Sequence, residues 1–481
     1  KVLLPRLYAH LKDPKGDGVR VSVALAVLKL LLLLPSEIIE KELRGFLLRV
    51  VAPLSSRAKQ TRQETRETLG RIVVTLGAPN FGAVVHELRT SLTKGYQLHV
   101  LGYSLHYLLS KMVAATEVGD LDYCAPKVVS LLLDDLLGEA AQKKEVEAIA
   151  TAMKEARATQ SYRSFEVLAS SVSFVPHVNA LVPPLHRAIL AAPGGADSLK
   201  NVGVAREVLR HLVLGFLANK GLENEPLCVY VVGMLNPQLP PPPADGGGGA
   251  APSAAAAPVG SVLQPAYAAG VTSGSGATPL AHEMVGFALS LLLGALRKGR
   301  FDTRRAADCA LLEPLLPLLQ RAMRLDSDTV VSLALRTLCS LLAFPLPSLP
   351  AHASALLERT MKLLRRAAAF ASATDLVANG LKAVTTLLRK PHLAADPDAD
   401  GGSDEEEEEE EGEEARAAEF ARLWKRVEAD ASVTPTAGPG SLLDQQEVAA
   451  AAFRNAAGPP VPSPAPEPAR AKAEAAEPAD G

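Results

Sequence analysis

The apolar pattern of this chain calls for an all-α stack of helical hairpins, and three observations carry that expectation. Leu and Val recur at steps of three and four through segments of helix length, each closed by Gly, Pro or Asp turns. Aromatic residues make up only 4% of the 481, against abundant Leu and Ala, which suits layered helices better than a sandwich or barrel. The segments come in pairs, and the pairs repeat, so each hairpin leaves an apolar face for the next to cover.

The clearest pair spans Leu76 to Met112. Val84, Val85, Leu88 and Leu92 form one stripe, Thr93-Lys94-Gly95 breaks it, and Leu98, Leu101, Leu105, Leu108, Leu109 and Met112 resume it. Upstream, residues 3–11 and 19–35 make a pair around a turn from Asp13 to Gly18, with Pro35 as the stop. A second pair runs from Ile38 to Leu76. Arg20 and Arg66 lie 46 residues apart, inside the ~40–47 range of HEAT and armadillo units. A fourth pair joins APKVVSLLLDDLLG to a long polar helix, residues 142–160, and further helices fill 162–235. From 280 to 392 the pattern returns, with Thr329 and Thr374 opening equivalent helices 45 residues apart. The expected architecture is a HEAT-type, armadillo-like α-solenoid over 1–235, continued over 280–392.

Two regions do not fit a packed helix. Residues 236–279 are dominated by Pro, Gly, Ala and Ser with little charge, a disordered linker by composition. Residues 393–481 read as an acidic low-complexity tail with one short helix from Glu413 to about Ala429, around Trp424. Ten acidic side chains lie between Asp404 and Glu414, and without them the net charge of −3 becomes +7. The body is mildly basic, which suits phosphate as a partner. The acidic run fits a soluble spacer or a competitor for basic proteins. The first residue is Lys, so the chain reads as a piece of a longer product. The longest apolar run, Val21 to Leu34, is 14 residues and holds Lys29, too short for a membrane span and suited to a buried helix. Four cysteines, Cys124, Cys228, Cys309 and Cys339, are far apart, without disulfide or zinc-ligand spacing.

Two strings are specific enough to carry a resemblance. The first contains Glu87-Leu88-Arg89, Gly95-Tyr96-Gln97-Leu98-His99-Val100-Leu101 and His106. The second contains Lys144-Glu145-Val146-Glu147, Glu155-Ala156-Arg157, Ser161-Tyr162 and Glu166-Val167-Leu168-Ala169. Both resemble the C-terminal half of the Down-Regulated-In-Metastasis family, closely over roughly 1–235 and more loosely over 280–392. The resemblance implies a nuclear, nucleolar HEAT-repeat component of the small-subunit (90S) processome. Its implied partners are other processome proteins, pre-ribosomal RNA and U3 small nucleolar RNA. Its implied role is to support ribosomal RNA processing and ribosome biogenesis as a scaffold without catalysing the steps. The rival class is a generic HEAT-repeat scaffold of the nuclear-transport or phosphatase type, which shares periodicity but not these strings.

The chemistry-bearing residues support no enzyme, cofactor or small-molecule site. There is no nucleophile elbow, phosphate-binding loop or dinucleotide fingerprint. His99 and His106 are seven apart, about 10.5 Å of helical rise, too far to share a metal ion. With Tyr96 and Tyr103 they form a second stripe beside the leucines, open to two readings: packing against the next repeat, or a protein-docking stripe. Basic clusters are the other candidates. Lys59, Arg62 and Arg66 step by three and four, while Arg297, Lys298, Arg300, Arg304 and Arg305 crowd one turn, and Lys362, Arg365 and Arg366 share a helix end. Each is either a solvated face or a sequence-independent contact for RNA phosphates.

Overall fold

The computed structural model describes residues 3–11, 20–138, 155, 160–240, 279–368 and 374–389. The turn expected at Asp13 to Gly18, the polar helix at 142–160 apart from Glu155 and Gln160, the linker from 241, and the tail from 393 with its short helix lie outside these residues. The described helices belong to one compact unit, Lys1–Ala429.

Seventeen α-helices among the described residues form eight hairpins, with no strand among them. The first member of each hairpin makes one layer: α1 (Leu3–Ala9), α3 (Ser36–Val51), α5 (Phe81–Ser91), α7 (Ala125–Leu137), α9 (Phe174–Ala191), α11 (Asn224–Leu235), the broken pair α13 (Ala306–Leu312) and α14 (Leu315–Ala322), and α16 (Leu349–Ala368). The second members make the other: α2 (Val21–Leu31), α4 (Lys59–Leu76), α6 (Gln97–Val113), α8 (Ser161–Ala169), α10 (Leu199–Ala218), α12 (Pro279–Arg297), α15 (Asp328–Leu341) and α17 (Thr374–Leu388). Every second-layer helix packs against the next in an unbroken row from α2 to α17, and α12 joins α10 and α11 on one side to α15 on the other. This is an all-α solenoid of the HEAT and armadillo type.

The stripes account for the burial. Helix α6 buries Val100, Leu101, Leu105, Leu108, Leu109 and Met112, and α4 buries Leu69, Ile72, Val73 and Leu76. Each fully buried Leu contributes about 1.5–3 kcal/mol against solvent exposure. Gly77, at φ +75, closes α4 in a conformation that a side chain would strain. Gly215 permits the closest helix approach: a Cβ there would stand 2.2 Å from the Glu166 carbonyl oxygen of α8. The 14-residue apolar run is α2 and its exit, with Val27, Leu28 and Leu31 buried. Among the described residues one helix, α12, is long and apolar enough to cross a membrane, yet it is the row's core helix, with Leu289, Leu291 and Leu292 fully buried.

In the N-terminal part the repeat is shorter than the spacing of Arg20 and Arg66 implies. Helices α2, α4 and α6 start at Val21, Lys59 and Gln97, 38 residues apart, and the same step leads from Ser161 to Leu199. Arg20 precedes α2, whereas Arg66 lies two turns inside α4, so the two arginines are not equivalent. Longer steps occur where a chain segment is inserted between the two members of a hairpin, before α8 and before α12, and the last two steps, Pro279 to Asp328 and Asp328 to Thr374, are 49 and 46 residues.

Up-and-down alternation gives the stack two edges, one carrying turns within hairpins and the other turns between them. On the between-hairpin edge polar side chains tie most turns from α6–α7 onward to a neighbouring segment. The Tyr123 hydroxyl accepts from Gly82 N–H at 2.8 Å and donates to the Ala78 carbonyl at 2.8 Å. Asp122 accepts from Ser173 N–H at 3.0 Å. Asn219 donates to the carbonyls of Ala169 and Val172 at 2.9 and 2.7 Å. Lys298 donates to the Leu217 carbonyl at 3.0 Å, Arg300 to that of Leu222, and Ser348 N–H to Glu313. These bonds satisfy carbonyls and amides that helix ends leave open.

Candidate binding surfaces of the hairpin stack

Helix α6 shows why the Tyr/His stripe is covered. A second-layer helix meets its hairpin partner on one side and a second-layer neighbour on each flank, so three sides are taken. Tyr96 at the head of α6 donates its hydroxyl to the Ser55 carbonyl ahead of α4. His99 is buried. The Tyr103 ring lies under the Arg66 guanidinium of α4, 4.9 Å from its centre. His106 Nδ1 stands 3.1 Å from the Ser164 hydroxyl of α8, and burial, with Arg163 beside it, holds the imidazole below its ordinary pKa despite Glu166. For the candidate docking stripe Tyr96, His99, Tyr103 and His106 the geometry favours the packing reading: its contacts run to the turn before α4, to α4 and to α8, and Tyr96, Tyr103 and His106 stay half-buried.

The α4 arginines are corrected as phosphate contacts by the same geometry. Arg62 and Arg66 are 4% and 3% exposed, which leaves no surface to offer a phosphate. Both close on Glu155, itself 3% exposed and 93 residues downstream of Arg62. Arg62 grips it through Nε at 3.0 Å and Nη2 at 3.1 Å, and Arg66 adds Nη1 at 3.2 Å. Arg62 Nη1 also donates to the carbonyls of Ser56 and Arg57 at 3.0 and 2.8 Å, capping the turn before α4. Burial pushes the Glu155 carboxyl up, but the Arg62 hydrogen bonds and both positive charges outweigh that and hold it below the usual range. For Arg66 burial prevails over Glu155, and its pKa is lowered. Lys59, one turn ahead, remains exposed.

Several other described residues of the two signature strings lie in comparable stitches. Glu87 is buried and takes Arg44 Nε of α3 at 3.1 Å, while Arg89 reaches Asp134 of α7 at 3.6 Å. The Ser161 hydroxyl donates to buried Asp135 at 2.6 Å, and Asp135 lies against Gly102, where a Cβ would stand 3.0 Å away. Glu166 pairs with His211 of α10 at 2.7 Å, and Tyr162 stacks on the same imidazole with ring centres 6.3 Å apart. A cavity of about 380 Å³ opens beside these stitches, walled by Leu92, Leu98, Leu101, Leu105 and Leu131 with Arg89 and Asp134 at its rim.

The second basic group divides. Lys298 and Arg300 are committed to the carbonyls of the α10–α11 turn. Arg297, Arg304 and Arg305 are exposed and make no side-chain hydrogen bond or ion pair with the described residues. At the end of α16, Lys362 pairs with Glu358 at 3.4 Å, and Arg366 faces Asp326 and Asp328 at 3.8 and 3.7 Å. No group of three or more His, Cys, Asp or Glu among the described residues is placed to hold a metal ion. The four cysteines are free thiols, and burial raises the pKa of Cys124 to about 11 and of Cys228 to about 12.

Fold and surfaces define a repeat protein whose polar chemistry is spent mainly on joining hairpin to hairpin. Residues 11–235 match the family model of the U3 small nucleolar RNA-associated protein 20 domain, so that region of the chain is similar to this family. It is 36% identical over 214 residues to U3 small nucleolar RNA-associated protein 20 of Schizosaccharomyces pombe (strain 972), and 30% over 208 residues to the protein of that name from Saccharomyces cerevisiae (strain S288c). These alignments cover 44% and 43% of this chain, and 8% of each relative's length. One solved chain, from work titled "A conserved phosphorylation switch controls the interaction between cadherin and beta-catenin in vitro and in vivo", aligns over 94% of both chains. Its 14% identity and TM-score of 0.26 add nothing to the description. The family match stops at Leu235, the last residue of α11, while the helix that completes that hairpin, α12, lies beyond the insertion.

Proposed function

We propose that the chain is a non-catalytic scaffold segment of the small-subunit processome, acting in pre-ribosomal RNA processing and ribosome biogenesis in the nucleolus. The observation that carries this reading is the family match over residues 11–235, because the residues behind it include the stitches that join the hairpins. A row of eight hairpins presents a long continuous surface, which is the physical asset of a scaffold. Partners are then processome proteins, with U3 small nucleolar RNA and pre-ribosomal RNA in the same particle.

The test is affinity purification of the full 481-residue chain from nuclei, followed by sequencing of bound RNA and mass spectrometry of bound protein. Enrichment of U3 and pre-ribosomal RNA together with processome proteins is expected. Recovery of transport cargo or phosphatase subunits, without either RNA, would replace this reading by the generic-scaffold one.

A further inference from the structure

The geometry points to a sequence-independent RNA-phosphate surface on the between-hairpin edge, built by Arg297, Arg304 and Arg305, a contact that rests on the reading above for the presence of RNA. Five cations crowd this turn, and the structure separates them by what they already do. Lys298 and Arg300 reach back to the carbonyls of Leu217 and Leu222, and Asn224 Nδ2 returns a bond to the Arg300 carbonyl at 2.8 Å. These bonds fasten the α12–α13 turn to the α10–α11 turn. The turn is braced internally as well: Asp308 accepts the Asp302 N–H at 2.9 Å, and Asp302 accepts the Arg304 N–H at 3.0 Å. Arg297, Arg304 and Arg305 therefore project from a fixed platform, exposed and without side-chain partners among the described residues. Lys220, also exposed, stands in the neighbouring turn that the platform grips.

The local acids do not cancel them. Asp308 is buried, while exposed Asp302 accepts the Arg304 N–H and keeps its charge, which offsets one of the three guanidiniums. Glu223 and Glu225 lie at the gripped α10–α11 turn and the start of α11, where Lys220 opposes one of their two charges. Lys59 belongs to the opposite edge, because it begins a second-layer helix whereas Arg297 ends one. The two groups that look alike in sequence lie on opposite edges, and of the two this one gathers several guanidiniums without side-chain partners among the described residues. Guanidinium is suited to phosphate oxygens through paired N–H groups. No exposed aromatic residue accompanies the three arginines, so the surface grips backbone and does not read bases.

The experiment measures binding of the full chain to a labelled single-stranded RNA 20-mer by fluorescence anisotropy at 50–200 mM salt. The proteins are wild type, the triple variant R297E/R304E/R305E, and a K59E control. Three phosphate contacts give a salt slope of about 2 on single-stranded RNA, or roughly 20-fold weaker binding across that range. The triple variant should lose most of that slope and bind at least ten-fold more weakly at 50 mM, with unchanged circular dichroism. K59E should match wild type. Wild-type affinity in the triple variant, or a larger effect from K59E, overturns the assignment. So does binding of a poly-glutamate peptide to wild type in preference to RNA, which would make the surface a receptor for acidic protein. Complete lack of RNA binding by wild type also overturns it, while recovery of processome proteins from nuclei would leave the scaffold reading intact.

Discussion

Replacing Glu155 by Gln is the most informative perturbation of this stack, because one atom change removes the only carboxylate that Arg62 and Arg66 are shown to grip. All three residues are 4% exposed or less, so solvent cannot take over the charge. Breaking a buried pair by neutralising one partner costs about 3–5 kcal/mol. Here Arg62 keeps two backbone carbonyls and Arg66 keeps the Tyr103 ring, which places the expected loss near the lower end, about 3 kcal/mol. A solenoid expresses such a loss locally. Hydrogen–deuterium exchange should therefore show faster opening of α4 and α6, while α15 and α17 keep their wild-type protection. The companion variant Arg62→Met/Arg66→Met/Glu155→Leu replaces the cluster by apolar volume and should restore protection to within about 1 kcal/mol, since well-packed apolar groups often match a buried ion pair. Protection of α4 in Glu155→Gln within about 1 kcal/mol of wild type would refute the account, because a solvated contact is worth about that much at most.

Three further outcomes follow from the same geometry. The Glu155 carboxyl is held below its ordinary pKa, so its contribution is complete above the unfolded value near 4.3 and is lost as pH falls through the folded value; an acid titration followed by exchange should open α4 in wild type below about pH 4, and the Met/Met/Leu variant should lack this step. Gly215→Ala puts a methyl group into the Glu166 carbonyl and should lower stability by at least about 1–3 kcal/mol in urea unfolding, whereas Gly203→Ala, in the same helix with nothing within 4 Å, should raise it by about 0.5–1 kcal/mol. Arg321 donates to Asn236 Oδ1 at 2.6 Å and to the carbonyls of Asn236, Leu239 and Pro240 at 2.9, 3.0 and 2.7 Å, so Arg321→Ala should speed proteolysis at residues 236–240 while cleavage elsewhere stays at the wild-type rate.

Much of the helical layout was legible because amphipathic periodicity is local. Leu98, Leu101, Leu105 and Leu108 announce α6 without reference to anything distant, and Gly77 and Gly95 mark turns by their own conformational freedom. The repeat length was less legible, since Arg20 and Arg66 looked alike by type and spacing while differing by two turns in helical position. The flanks of each helix were not legible at all. A stripe of Tyr96, His99, Tyr103 and His106 has the composition of a docking face, and nothing within α6 tells that α4 and α8 cover it.

By itself the amino-acid order determined the class of fold, the helical segments and the resemblance carried by two short strings, because those depend on spacings of three, four and seven residues. The tertiary structure alone decided the use of each charge. Arg62 and Arg297 are the same residue type in similarly basic strings, yet one is buried on a glutamate 93 positions away and the other stands free on a clamped turn. Charge acts through distance and solvent access, and in a stack of hairpins both are set by which helices become neighbours.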